Sequence, residues 1–222
     1  MKSRLARPAA VFVLATALLA ACAQDVPQPP AAAAADPADA TTVSVADPAD
    51  AAADTALDRA KAAAMAFSGQ LRSRLQSAMA EGGPTTAVEV CHTEAPQIAT
   101  AVMAEYGVRM GRVAAPGRNR NPAQAADDWK LTTLEAFQQA VNEGAAAGEQ
   151  VAVMREHLPE GVAVRMMRGI VTEPVCLACH GAAVAPEVHE TILARYPDDG
   201  ATGFTVGDLR GALWVEVPVA PP

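Results

Sequence analysis

Aromatic side chains are scarce: Phe, Trp and Tyr make up 4% of the 222 residues. Hydrophobic residues reach 51%, with alanine dominant, so the prospective core lacks large flat side chains and something else has room to fill it. Basic residues are also short, 17 Lys and Arg against 25 Asp and Glu, and removing Lys2, Arg4 and Arg7 with an export signal leaves 14 against 25, a charge of −11. Nucleic acid and anionic membrane surfaces are therefore poor partners. Four cysteines are too few for a disulfide-dense scaffold, and the only long apolar run sits at the extreme N-terminus, which excludes a multi-span membrane protein.

That N-terminal run has the layout of a secretory signal over residues 1–21: a basic start at Lys2, Arg4 and Arg7, an apolar stretch from Ala9 to Ala20, and Leu19-Ala20-Ala21-Cys22 at its end. The last four residues resemble a bacterial lipobox, which makes Cys22 the expected lipidation site and gives a membrane anchor without a spanning helix. The expected location is the cell envelope, facing the periplasm, and Ala23 after the cysteine favours the outer membrane. Residues 22–53, rich in Ala, Pro and Asp, repeat Ala35-Asp36-Pro37-Ala38-Asp39-Ala40 as Ala46-Asp47-Pro48-Ala49-Asp50-Ala51 and read as an extended tether.

The folded part is expected over 54–222, one domain with one core. Leu57, Ala60, Ala64, Phe67, Leu71, Leu75 and Ala78 recur at helical spacing until Gly82-Gly83. A second helix starts at Pro84, carries Cys91 on its apolar side, bends at Pro96 and ends at Gly107. A strand over 108–113, a loop over 114–122 and a helix over 125–147 follow. Two β-rich runs, 151–156 and 162–171, flank Pro159-Glu160-Gly161 as a hairpin, and a helix over 186–196 and a strand over 212–219 complete an α+β fold.

Chemistry concentrates in Cys176-Leu177-Ala178-Cys179-His180, the attachment pattern of c-type haem. Two thiols three residues apart can form thioethers with the two vinyl groups of one haem, and the adjacent imidazole can bind its iron. Chance alone would place this pattern in a chain of such composition on the order of 10⁻³ times. A zinc site would need a second ligand pair, which is missing. Export fits as well, because c-type haem is attached outside the bacterial inner membrane. No methionine follows Met167, so the histidine/methionine arrangement of small cytochromes c is disfavoured, and the 42 residues after His180 do not suit the four-helix type. The remaining thiol, Cys91, reads equally as a buried packing residue or as an iron ligand. His92 is a secondary candidate, and His157 and His189 are expected at the surface.

The combination of Cys91-His92-Thr93-Glu94-Ala95-Pro96-Gln97-Ile98-Ala99, Gly111-Arg112, Arg118-Asn119, Asn121-Pro122, Trp129 with Leu134 and Phe137, the haem motif with Gly181, Tyr196-Pro197-Asp198 and Gly207-Asp208-Leu209-Arg210-Gly211-Ala212 resembles a known family. It is that of bacterial c-type haem domains with a Per-Arnt-Sim-like (PAS-like) fold, first described for a cyanobacterial haem protein and used as an extracytoplasmic input module in some histidine kinases. The resemblance spans about residues 57–219. It implies a five-stranded antiparallel sheet flanked by helices, one covalent haem c held by Cys176 and Cys179, and His180 with Cys91 as its axial pair. Arg112 and Arg118 read equally as partners for the propionates or as solvated surface residues, and Arg210 as a turn-holding partner of Asp208.

Unlike the receptor members, the sequence ends at Pro222 without a membrane helix or output domain, so signalling would need a separate protein partner. The expected function is a redox- or gas-responsive haem module, with CO or NO as possible ligands; electron transfer is the alternative. Enzymatic, peroxidase-like activity is not expected, because Cys91 would fill the open position it requires.

Overall fold

The computed structural model describes residues 48–219. The expected export signal, Cys22 and the tether as far as residue 47 lie outside the described residues. Helix α1 (Pro48–Glu89) begins within the segment expected to be tether, so residues 48–53 are helical rather than extended. Ala56, Ala60, Ala63 and Ala64 recur at three- and four-residue spacing and are buried with Phe67. Side chains this small let the helix lie close to the sheet, while Phe67 contributes about 1.5–3 kcal/mol by its burial.

Gly83, at φ 72° and ψ −163°, breaks the helical path before Pro84. Beyond it Ala87 and Val90 pack against Ala78, a contact that a straight helix rising about 1.5 Å per residue could not make, so the chain folds back here. A π-helical turn follows at Val90–Glu94, and then α2 (Ala95–Tyr106), capped by the N–H of Gly107 on Met103. The sequence predicts a bend near Pro96; the structure makes it a wider turn, in which the Ala95 N–H reaches back to the Val90 carbonyl. Pro96 has no N–H to offer the preceding turn, and the ladder accommodates the gap with one longer step.

Four antiparallel strands, β1 (Arg109–Val113), β2 (Val151–Met154), β3 (Val162–Val171) and β4 (Leu209–Pro218), lie in the order β1-β4-β3-β2. The expected hairpin is β2 and β3, with Met154 opposite Arg165. Five strands were implied, and four named strands are found among the described residues. Val164, Met166, Val215 and Val217 face α1, while Met167 and Ala212 face α3 (Asp128–Asn142) through Leu134 and Phe137. Short α4 (Leu177–His180) and α5 (Pro186–Arg195) intervene between β3 and β4, with Val188 and Ile192 of α5 packed on Val88. Among the described residues no helix is long and apolar enough to cross a membrane.

Candidate functional site

Pro174 opens a 3₁₀ turn, Pro174–Cys176, that runs directly into α4, a start that suits a residue with fixed φ and no N–H to satisfy. The backbone N–H of Glu173 donates to Cys176 Sγ at 3.4 Å, and Arg72 of α1 grips the Glu173 carboxylate through two bonds of 2.8 and 2.9 Å. The three-residue spacing sets Cys176 and Cys179 on one side of the turn. At the far end, Phe204 N–H donates to the His180 carbonyl and Gly203 N–H to the Gly181 carbonyl, both at 3.0 Å. The motif is thus held at both ends by distant segments.

His180 is aimed by its own hydrogen bond. Its Nδ1 donates to the Ala201 carbonyl at 2.7 Å, which leaves the ring's lone pair on Nε2. Burial, with Arg210 and Arg120 adding repulsion, pushes the imidazole pKa down to about 2, so the ring stays neutral and able to bind a metal. Burial pushes the Cys179 thiol up; Arg120 opposes this, and Cys91 and Cys176 add to it.

Cys91 sits in the π-helical turn and lines a cavity of about 550 Å³ together with His92, Phe67, Ala99, Arg112, Arg118, Arg120, His180, Tyr196 and Arg210. This volume lies within the range of small-molecule and cofactor sites, about 300–1,000 Å³. Cys91 is half-buried, whereas His92 is exposed with its ring edge-on to Tyr196 at 5.4 Å. The turn is tied down by Glu94 to Arg74 at 2.6 and 2.8 Å, and just before it Glu89 accepts from Arg195 at 3.0 Å. His157 and His189 are exposed and outside the cavity wall.

The cavity is rich in guanidinium groups. Arg118 stacks over Phe204 at 4.1 Å, and Arg112 lies 5.9 Å from the Phe67 ring. Arg210 does not pair with Asp208, as the sequence suggested: Asp208 Oδ2 holds its turn alone by accepting from Thr205 N–H at 2.7 Å, while Arg210 Nη1 approaches His180 Nε2 at 3.4 Å. The Nε of Arg210 is sealed from solvent without a hydrogen-bond partner, and burial lowers its pKa. Among the described residues none of Arg112, Arg118 and Arg210 has a carboxylate at ion-pair distance. A buried cation left in this state fits a pocket built to receive an anionic group.

Sequence reasoning named the loop holding Arg120 but gave that residue no role. Arg120 is buried, bonded to Asp199 and to the Cys179 carbonyl. The local signal for it was slight, an arginine inside a polar turn whose partner lies 79 positions away.

No curated protein matches this chain. Among solved structures it is similar to the cyanobacterial heme-protein Tll0287, at 28% identity over 80% of this chain and 99% of that one, with a TM-score of 0.49. The family model described as Tll0287-like matches residues 42–218, nearly the whole of the described fold and every residue of the cavity wall, and the chain belongs to the Tll0287-like family.

Proposed function

We propose that this chain is an exported, lipid-anchored protein that carries one covalent haem c in a PAS-like domain and acts as a redox- or gas-responsive module on a separate partner. The observation that carries the reading is Cys176 and Cys179 on one turn beside His180, whose Nδ1 is committed to Ala201 and whose Nε2 lone pair meets only a long contact from Arg210 at 3.4 Å. In this reading Cys176 and Cys179 would form the thioethers, His180 and Cys91 would bind the iron, and Arg112 and Arg118, with Arg210, would meet the propionates. The orphaned Nε of Arg210 and the aromatic-poor core both suit a large flat anionic occupant. When bound, the haem supplies a one-electron ferric/ferrous couple.

The chain's own residues set how that couple behaves. Cys91 as thiolate favours the ferric state and lowers the potential relative to a methionine ligand. Were Cys91 to withdraw from the iron on reduction, the cavity it lines would offer a place for CO or NO. His180, held neutral and oriented, stays in place. Electron transfer is the second reading, favoured by the pinning of the π-helical turn through Glu94 and Arg74, because a clamped Cys91 is less free to leave. Were Cys91 to bind the iron, little room would remain for peroxidase-like catalysis.

The test begins with the mass of protein exported by a host that matures c-type cytochromes. A mass equal to the polypeptide alone refutes the proposal. Ferric and ferrous absorption spectra with and without CO then separate the readings: rapid ferrous CO binding supports sensing, and a six-coordinate ferrous form inert to CO supports electron transfer.

A further inference from the structure

His180 is held at two points, and both lead to one guanidinium. Arg120 makes a fork-on-fork pair with Asp199, Nε to Oδ1 at 3.0 Å and Nη2 to Oδ2 at 3.2 Å. The two side chains are only 9% and 1% exposed. Nη2 of Arg120 also donates to the Cys179 carbonyl at 2.7 Å, which belongs to the peptide that enters His180. On the other side, Asp199 Oδ1 accepts from Ala201 N–H at 3.0 Å, and the carbonyl of the same Ala201 accepts from His180 Nδ1 at 2.7 Å. One arm therefore fixes the backbone of His180 and the other fixes its ring.

The layer that carries this clamp is tightly built. Gly200 N–H donates to the Asn119 carbonyl at 3.0 Å, and a Cβ at Gly200 would fall 2.1 Å from the Gly117 carbonyl oxygen. The loops on either side of Arg120 and Asp199 cannot drift apart without losing both contacts.

We infer that Arg120 and Asp199 are positioning residues for His180: through the Cys179 carbonyl and Ala201 they fix the ring's orientation and the strength of its Nδ1–H bond, and so set the reduction potential of the bound haem. The inference rests on the haem reading above. A firm Nδ1–H bond gives the imidazole more electron density to donate, which stabilises ferric over ferrous iron, and partners of this kind typically change metal affinity about 10–100-fold.

The experiment uses holoprotein carrying Asp199→Asn or Arg120→Lys, with haem attachment confirmed by mass before redox titration. Asp199→Asn slackens Ala201 and leaves the Arg120 charge uncompensated; both effects disfavour ferric iron. A tenfold change in relative affinity raises the potential by about 59 mV for one electron. Arg120→Lys keeps the charge but loses the fork, so a smaller rise in the same direction reports geometry rather than field. Both variants retaining haem and the wild-type potential would overturn the inference.

A second measurement covers variants that do not fold, and a wild-type chain that carries no haem, in which case the haem reading falls by itself. In ¹⁵N-histidine spectra of the intact wild-type chain, His180 is expected as the Nδ1–H form with a slowly exchanging proton. Exchange of that proton at the rate of free imidazole would overturn the clamp independently of haem.

Discussion

Replacing Gly211 by alanine separates two effects that usually travel together at glycine, backbone conformation and close approach. Gly211 has φ 153°, and a Cβ there would lie 2.2 Å from the Val113 carbonyl oxygen and 3.4 Å from Ala114 Cα. Backbone cannot yield as a side chain can, so β1 must move off β4 where Val113 pairs with Ala212. Strain at such a φ costs about 1–3 kcal/mol. Losing one or two ladder bonds adds about 1 kcal/mol each. The sum, about 2–5 kcal/mol, lowers Tm by about 4–20 °C for a chain of this size. Gly207, at φ 94° with nothing within 4 Å of its Cβ position, is the control and should lose only the backbone contribution. Thermal unfolding followed by far-UV circular dichroism measures both. Val113 and Ala114 line the cavity with Gly211, so Gly211→Ala should also alter the visible spectrum of the holoprotein while Gly207→Ala leaves it unchanged. Equal losses of Tm with two wild-type spectra would refute the close-approach argument.

Cys91→Ser should abolish the sulfur-to-iron charge-transfer absorption and raise the potential with haem still attached, and Cys91→Ser/His92→Ala guards against capture of the position by the neighbouring imidazole; unchanged ferric spectra in both variants would make Cys91 a packing residue. In the haem-free chain, the folded state refuses a proton that His180 accepts when unfolded below about pH 6.5, so stability from this group is complete above that pH and is lost as pH falls toward about 2. Between pH 7 and pH 5 the loss is about 2 kcal/mol, and denaturant titrations should show it missing from His180→Gln. Cys22→Ser should release the protein from membranes with its haem spectrum intact, and continued membrane association would rule out lipidation as the anchor.

The elements that are visible in the sequence carry local rules. The alanine spacing of α1, its break at Gly83 and Pro84, and the β2–β3 hairpin follow from periodicity and turn chemistry. Helix ends were less legible: α3 stops at Asn142 rather than continuing to 147, and residues 48–53, composed like the tether, join α1 because the helix continues through them. At the site, Cys176, Cys179 and His180 announce themselves by spacing alone. Arg120 and Asp199 do not, because each satisfies the other across 79 positions and neither leaves a trace nearby. Arg210 was assigned a neighbour two residues away when its environment is built by α4 and β1, a reminder that a buried charge is placed by the whole fold.

The cavity wall draws on residues from Phe67 to Gly211, so almost every element must be in place before it exists. Its last piece is β4, which follows the attachment motif in the chain and pairs with both β1 and β3. Such long-range pairing is slow to form. A cofactor joined at Cys176 and Cys179 as the polypeptide emerges would therefore meet an open chain, and β4 would close over it afterwards. If such attachment occurs, maturation and folding would become one ordered process in which attachment comes first, and a chain that closed early would present a half-buried pair of thiols.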